Sequence, residues 1–263
     1  MAKKAKTAVE SPFDPDYYQK EIGRFNPVPY EKNGIVVKMV PEMFGRVDGA
    51  YYKSFGSIEN FPTFRIDGKL WMSITPMEAE THYIPIKLAS EKKIKTVVVG
   101  GLGLGYYVAR IMGMTHIEKI VVYEYQQKVV DYFTECYGDR EGFSKIEFVV
   151  GDIREKFVNQ KCDLCYMDIY EGVADTKAVE DRMNFLATNK IKNYWFWTEE
   201  RMHFWLIFQR GFDPQFTNNH KTVLAHFKQF ALSDKGERFD GYIRYDNEEL
   251  EMYEEGTVQW LMD

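Results

Sequence analysis

The chain has 263 residues, of which 45 % are hydrophobic and 28 % are charged, so it can bury one large core or one core with a small appended unit. Its net charge of -6 argues against non-specific binding to nucleic acid, which needs clustered lysine and arginine. The sequence has no apolar run near the roughly 20 residues that a membrane span requires.

The start of the chain and its cysteines bear on location. Residues 1–10 are rich in Lys and Ala but lack the apolar segment of a secretory signal. The chain has three cysteines, an odd and sparse set that forms no disulfide framework. Cys162-x-x-Cys165 has no second cysteine pair, so we interpret both as core thiols and expect no metal site. These features predict a cytoplasmic protein without a membrane partner.

The first part of the chain predicts a small antiparallel unit. We expect a disordered tail over residues 1–12 and an N-terminal β-hairpin region over residues 13–75, with a short helix between Asp14 and Tyr30. Apolar and polar residues alternate beyond that helix, and Asp48-Gly49 and Asp67-Gly68 are typical hairpin turns. The region could cover a substrate or form a homodimer, and the sequence leaves both open.

A helix start follows at Thr75, where we place the boundary of a larger domain over residues 76–263. Thr75, Pro76 and Glu78 match a capping box with proline at the first helical position, which predicts a helix to about Ser90. Glu78, Glu80 and His82 lie on its first turns. Either a solvated face or contact with a substrate would explain them.

A buried strand and a glycine loop form the centre of this domain. Val97 to Val99 are β-branched and unalternated, as in a central parallel strand covered on both faces. The strand runs into Gly101, Gly103 and Gly105, whose spacing is typical of a loop that lets a ligand approach the backbone. Tyr106 stands where the dinucleotide fingerprint needs its third glycine, which argues against a nicotinamide cofactor.

The next three predicted strands each lead to a carboxylate. They span 118–124, 145–150 and 162–168, and they lead to Glu124, Asp152 and Asp168. Helices predicted over 106–113 and 127–137, and a strand over 193–198, complete an alternating pattern. This pattern predicts an α/β fold with a Rossmann-like, doubly wound and mostly parallel sheet, which binds ligands at the carboxyl ends of its strands.

The stretch from about Arg65 to Gly172 resembles class I S-adenosylmethionine (SAM)-dependent transferases, and among them the spermidine-synthase-like branch. The resemblance implies that SAM is the cofactor and that Gly101, Gly103 and Gly105 hold its methionine part. It also implies that Glu124 binds the ribose and Asp152 the adenine amino group. Asp168 would then lie beside the sulfonium.

The match is weaker around the acceptor. Leu104 stands roughly where aminopropyltransferases carry an aspartate in the loop, and D-I-Y-E-G replaces their D-P-x-G-P after the fourth strand. We therefore expect methyl transfer to a small molecule, with aminopropyl transfer as the alternative and a nucleoside-binding module without catalysis as a third. Asp168 and Glu171 are the candidate catalytic pair, because two adjacent carboxylates could orient an amine and accept its proton.

Overall fold

The computed structural model describes residues 16–44, 57–170, 181, 184–185 and 187–197. The predicted tail over 1–12, the Asp48-Gly49 turn, Glu171 and all residues after 197 lie outside this set. Within it, no helix is both long and apolar enough to cross a bilayer.

In the part of the N-terminal region that the structure describes, a helix is followed by a four-stranded antiparallel sheet. Helix α1 spans Tyr17–Phe25, and the strands, adjacent in chain order, are β1 Tyr30–Lys32, β2 Ile35–Phe44, β3 Ser57–Ile66 and β4 Lys69–Ser73. The predicted turn at Asp67-Gly68 is confirmed, with φ values of 50° and 80°. A second turn of the same kind, at Asn33-Gly34, has φ values of 53° and 78° and was not predicted, although Asn-Gly is an equally strong hairpin signal.

The antiparallel sheet packs through one face on residues that follow it in the chain. Ile35, Val37 and Phe64 are buried, as the alternation of their strands requires. The Phe64 ring contacts Tyr132, with 5.6 Å between ring centroids. At its other end the sheet brings Met72 of β4 to the glycine loop, where the sulfur lies 3.3 Å from the backbone nitrogen of Leu104.

The helix predicted from Thr75 to about Ser90 is two helices, α2 Pro76–Thr81 and α3 Tyr83–Ala89. The break at His82 has a local cause. The backbone carbonyl of Glu78 accepts hydrogen bonds from the Thr81 hydroxyl at 3.0 Å and from Nδ1 of His82 at 2.7 Å. These side chains replace the backbone N–H of His82 as donors and so end the first helix. Thr75 is the N-cap of α2 and Pro76 its first residue, as predicted, but the Thr75 side chain does not make the capping hydrogen bond that the pattern predicts.

Within the described residues, the second sheet has five parallel strands, and it confirms the Rossmann-like α/β fold. Its strands are β5 Thr96–Gly100, β6 Lys119–Glu124, β7 Ile146–Val150, β8 Lys161–Met167 and β9 Lys190–Phe196, in the order β7-β6-β5-β8-β9. The helices between them are α4 Tyr106–Met112, α5 Gln127–Tyr137 and the short α6 Ile153–Lys156. Strand β9 begins three residues before the predicted Asn193, and predicted Thr198 lies outside the described residues.

Strand β5 is covered on both faces, as its unalternated sequence predicts. Val97 and Val99 belong to the core shared with the N-terminal region, whereas Val98 points into a second core with Cys165 and Met167 of β8. The strand order reverses between β5 and β8, which are neighbours although β6 and β7 separate them in the chain. Doubly wound sheets bind ligands outside the carboxyl ends of their strands at such a reversal.

Candidate functional site

A cleft of about 810 Å³ opens at this reversal. Its floor is formed by residues at the carboxyl ends of β5, β6, β7 and β8, and its wall by β4 and the start of α2. Five of the seven predicted site residues line it: Gly101, Gly103, Glu124, Asp152 and Asp168. Gly105 does not line it, and Glu171 lies outside the described residues.

At two of the three loop glycines, an added Cβ would collide with a residue that lines the cleft. Gly101 has φ of 85°, and a Cβ there would overlap the backbone carbonyl oxygen of Asp168. Gly103 has φ of 51°, and a Cβ would lie 2.6 Å from the sulfur of Met72. Gly105, with φ of 81°, starts α4, and a Cβ would overlap the ring of Phe133. Gly105 therefore serves the packing of the helix start rather than the surface of the cleft.

Glu124 is tied to the glycine loop. Its carboxylate accepts hydrogen bonds from the backbone nitrogens of Leu102 at 3.0 Å and Gln126 at 2.9 Å. Burial raises the pKa of Glu124 above its usual value, although these N–H donors favour the charged form. A carboxylate oxygen can accept more than one hydrogen bond, so ribose hydroxyls could bind without breaking these contacts.

Asp152 has a structural role of its own. Its side chain accepts from the backbone nitrogen of Arg154 at 2.8 Å, which caps α6. The Arg154 guanidinium lies 3.6 Å from the Asp152 carboxylate and forms a two-pronged ion pair with Asp181. The carboxylate of Asp152 therefore lies in the cleft with the permanent positive charge of Arg154 beside it.

Asp168 stands at the reversal itself. Its backbone nitrogen donates to the carbonyl of Gly100 at 2.8 Å, which continues the pairing of β8 with β5 by one residue. Its side chain is partly exposed to the cleft and faces the Tyr166 hydroxyl, 3.5 Å from Oδ2, and Nε2 of His82, 3.6 Å from the same oxygen.

His82 and Glu78 complete this corner, and sequence reasoning did not connect them to Asp168. Nδ1 of His82 lies 3.9 Å from the Glu78 carboxylate, while Nε2 faces Asp168 and lies 3.0 Å from the Tyr166 hydroxyl. The predicted alternative of a solvated face is wrong, because Glu78, Glu80 and His82 are 8 %, 1 % and 2 % exposed. The available signal was the i, i+4 spacing of Glu78 and His82, which puts both on one side of a helix.

This corner has the residue types of a metal site. One donor atom from each of Glu78, His82 and Asp168 lies within 4.8 Å of the other two. Nδ1 of His82 nevertheless donates to a backbone carbonyl, and Nε2 faces the Tyr166 hydroxyl at hydrogen-bond distance. Because both ring nitrogens have partners within the protein, we interpret the group as a hydrogen-bonded ion network.

The rim of the cleft is apolar and aromatic. Leu70 and Trp71 of β4 and Tyr125 after β6 are 49 %, 50 % and 75 % exposed, respectively. All three line the opening. Planar rings at the mouth offer stacking surface for a flat ligand such as a nucleobase or an aromatic acceptor.

No protein-family model matches the chain, and no curated protein matches its sequence. Among solved structures, it is similar to a spermidine synthase in complex with the transition-state analogue AdoDATO, at 20 % identity over 49 % of this chain and 46 % of that chain, with a TM-score of 0.35. It is also similar to spermidine synthase from Thermotoga maritima, at 20 % identity over 49 % and 45 % of the two chains, with a TM-score of 0.34.

A methyltransferase from Geobacter sulfurreducens is similar at 19 % identity over 40 % of this chain and 52 % of that chain, with a TM-score of 0.34. The chain thus spans about half the length of these proteins. The fold assignment given above rests on the strand order rather than on these likenesses.

Proposed function

We propose that the chain binds SAM and transfers its methyl group to a small-molecule acceptor. The observation that carries the proposal is that Gly101, Gly103, Glu124, Asp152 and Asp168 line one cleft at the reversal of a parallel sheet. Their order along the chain follows the parts of the nucleoside, from the methionine part through the ribose to the adenine and back to the sulfonium.

The types of residue in the cleft support the binding of this ligand. Positive φ at Gly101 and Gly103 turns the loop, and the absence of a Cβ lets the loop lie against Asp168 and Met72 at the edge of the cleft. Glu124 offers oxygens at the end of β6 for the ribose hydroxyls. Asp152 offers an acceptor at the end of β7 for the adenine amino group. Gly105 supports the loop by allowing α4 to start against Phe133.

SAM supplies an electrophilic methyl group when it is bound. The task of the chain is then to hold the acceptor atom in line with that group, and most of the rate enhancement comes from proximity and orientation. Asp168 would face the sulfonium, and the apolar rim at Trp71 and Tyr125 would exclude water from the acceptor. Holding the acceptor in line does not require the acceptor-binding residues of aminopropyltransferases, so methyl transfer is compatible with the departures of this sequence from their pattern.

Aminopropyl transfer is the second candidate, and the corner at Asp168 favours it. Glu78 and Asp168 both line the cleft, and two carboxylates there would attract a cationic amine. One of them could accept the amine's proton before attack, since the attacking nitrogen must be neutral. The third candidate is a binding module that takes up SAM without consuming it.

One experiment separates these functions. The full chain is incubated with candidate acceptors and, in separate samples, with isotopically labelled SAM or decarboxylated SAM, and the nucleoside products are identified by mass. Methyl transfer from SAM yields S-adenosylhomocysteine (SAH), and aminopropyl transfer from decarboxylated SAM yields methylthioadenosine. A nucleoside that binds but is recovered unchanged in all samples indicates the module. Absence of binding of SAM, SAH and methylthioadenosine in calorimetry would refute the proposal.

A further inference from the structure

Three of the carboxylates that line the cleft differ in the groups that face their charge. Glu124 is bonded by backbone N–H groups of the glycine loop and of the start of α5. Asp152 has the permanently charged guanidinium of Arg154 at 3.6 Å. Asp168 instead faces an imidazole, which can gain or lose its charge near neutral pH. When a ligand cation binds beside Asp168, the positive charge already there is that of the His82 imidazole, which can be lost with its proton.

The geometry of His82 defines which of its protons can leave. Nδ1 donates to the backbone carbonyl of Glu78 at 2.7 Å, and because a carbonyl can only accept, this nitrogen keeps its hydrogen in both charge states. Nε2 is therefore the titrating atom. It lies 3.6 Å from Asp168, whose side chain is 22 % exposed and thus connects the buried ring to the cleft.

The Tyr166 hydroxyl can form a hydrogen bond with Nε2 of His82 whether or not that nitrogen carries a proton. It lies 3.0 Å from Nε2 of His82 and 3.5 Å from Oδ2 of Asp168. When Nε2 carries a proton, the hydroxyl can accept from it and donate to Asp168. When Nε2 is bare, the hydroxyl can turn and donate to it, so loss of the proton leaves no unpaired nitrogen in the core.

Among the residues that the structure describes, the charged and titratable groups around the ring come from three elements. Helix α2 contributes Glu78, and strand β8 with its end contributes Tyr166 and Asp168. Helix α4 contributes the rings of Tyr106 and Tyr107, with centroids 5.0 and 6.2 Å from that of His82.

The balance of these groups favours a proton on the ring. Burial disfavours the imidazolium, but the nearby carboxylates of Asp168 and Glu78 and the hydrogen bond to the Glu78 carbonyl outweigh it and hold the pKa of His82 above its usual value. The Tyr106 hydroxyl donates to Glu21, which also binds Arg110, so that tyrosine is engaged away from the ring.

We propose that His82 is a specificity-determining residue that holds an exchangeable proton as the counter-charge of Asp168, and that this proton leaves when a cationic nucleoside binds. The inference rests on the proposed binding of SAM. In the exchange, the Nε2–H bond of His82 breaks, the electron pair stays on the nitrogen, and the proton passes to solvent. The sulfonium charge of SAM then replaces the imidazolium charge beside Asp168.

The exchange distinguishes the cosubstrate from its product. SAM carries the sulfonium, whereas SAH has a neutral thioether and is otherwise charged alike. SAM should therefore displace the proton and SAH should leave it in place. The preference for SAM over SAH should grow as the pH rises, because less free protein then holds the proton that SAM must displace.

Calorimetry can count the protons released on binding. SAM and SAH are titrated into the full chain near pH 7, with a chelator present, in buffers that differ in their enthalpy of ionisation. We expect SAM to release more protons than SAH, by a difference approaching one per site. His82→Gln should remove the difference while both nucleosides still bind. His116→Gln is the matched control, because His116 bonds the carbonyl of Ala89 outside the cleft and should keep the wild-type difference.

Two results would overturn the inference. One is equal proton release with SAM and SAH in the wild-type chain, and the other is an unchanged difference in His82→Gln. If that variant does not fold, nitrogen NMR of histidine-labelled wild-type protein decides instead, since the pKa of His82 should be lower in the SAM complex than in the SAH complex. Absence of binding by both nucleosides would instead refute the proposed function itself.

Discussion

Replacing Gly101 by alanine tests whether the backbone after β5 can lie against Asp168 only when residue 101 has no side chain. Gly101 has φ of 85°, which costs an L-residue about 1–2 kcal/mol relative to glycine. The added Cβ would also overlap the carbonyl oxygen of Asp168, and both groups belong to the backbone, so the loop and the end of β8 must move apart.

That movement threatens the hydrogen bond from the Asp168 backbone nitrogen to the Gly100 carbonyl, now 2.8 Å long. Such a bond contributes about 1 kcal/mol. Together with the backbone strain, Gly101→Ala should lower the free energy of unfolding by about 3 kcal/mol or more. Because the loop carries Leu102, whose N–H binds Glu124, the affinity for SAM should fall at least about tenfold, or about 1.4 kcal/mol.

Urea denaturation measures the first effect and calorimetry the second. Gly113→Ala is the matched control, because Gly113 ends α4 with φ of -76° and a Cβ there meets nothing within 4 Å. That change should be neutral or stabilise the chain by about 0.4–1 kcal/mol. A Gly101→Ala protein as stable as wild type, with unchanged SAM affinity, would refute the reasoning.

Three further predictions concern single carboxylates. Glu124→Ala should weaken SAM binding by about 1.5–3 kcal/mol, as for hydrogen bonds to a charged group, and an unchanged dissociation constant would remove Glu124 from the site. Asp168→Asn should weaken SAM at least about tenfold more than SAH because only SAM carries the sulfonium, and equal losses in calorimetry would contradict this. Asp163 is buried, but Lys192 and backbone N–H groups hold its pKa down at about 2. Asp163→Asn should therefore cost about 2 kcal/mol of stability above about pH 4 and progressively less down to about pH 2, which urea denaturation across pH would show.

The parallel sheet could be predicted because its signals are local. Val97 to Val99 show no alternation, which is what burial on both faces requires, and the structure places Val98 in a different core from its two neighbours. The carboxylates could be placed in the same way. Residues at or just past the carboxyl ends of parallel strands lie at the same edge of the sheet, so Glu124, Asp152 and Asp168 could be placed in one cleft without long-range information.

The corner around His82 could not be predicted, for two physical reasons. Helix periodicity predicts continuity through position 82, but it says nothing about side chains that capture a backbone carbonyl, as Thr81 and His82 do at Glu78. The packing of α3 against β8 then brings His82, which directly precedes α3, beside Tyr166 and Asp168, which are far along the chain. Only a three-dimensional arrangement reveals a histidine between two carboxylates.

Asp168 contributes to the fold through its backbone atoms and to the proposed chemistry through its carboxylate. Its backbone carbonyl fills the place that a side chain at Gly101 would need, and its backbone nitrogen extends β8 along β5. Its carboxylate faces the cleft and His82 instead. Asparagine at 168 keeps the backbone contacts and removes the charge, whereas alanine at 101 disturbs the backbone and leaves the charge. If Asp168 both closes the sheet and attracts the sulfonium, Gly101→Ala should therefore lower the stability of the chain, whereas Asp168→Asn should lower the affinity for SAM more than the affinity for SAH.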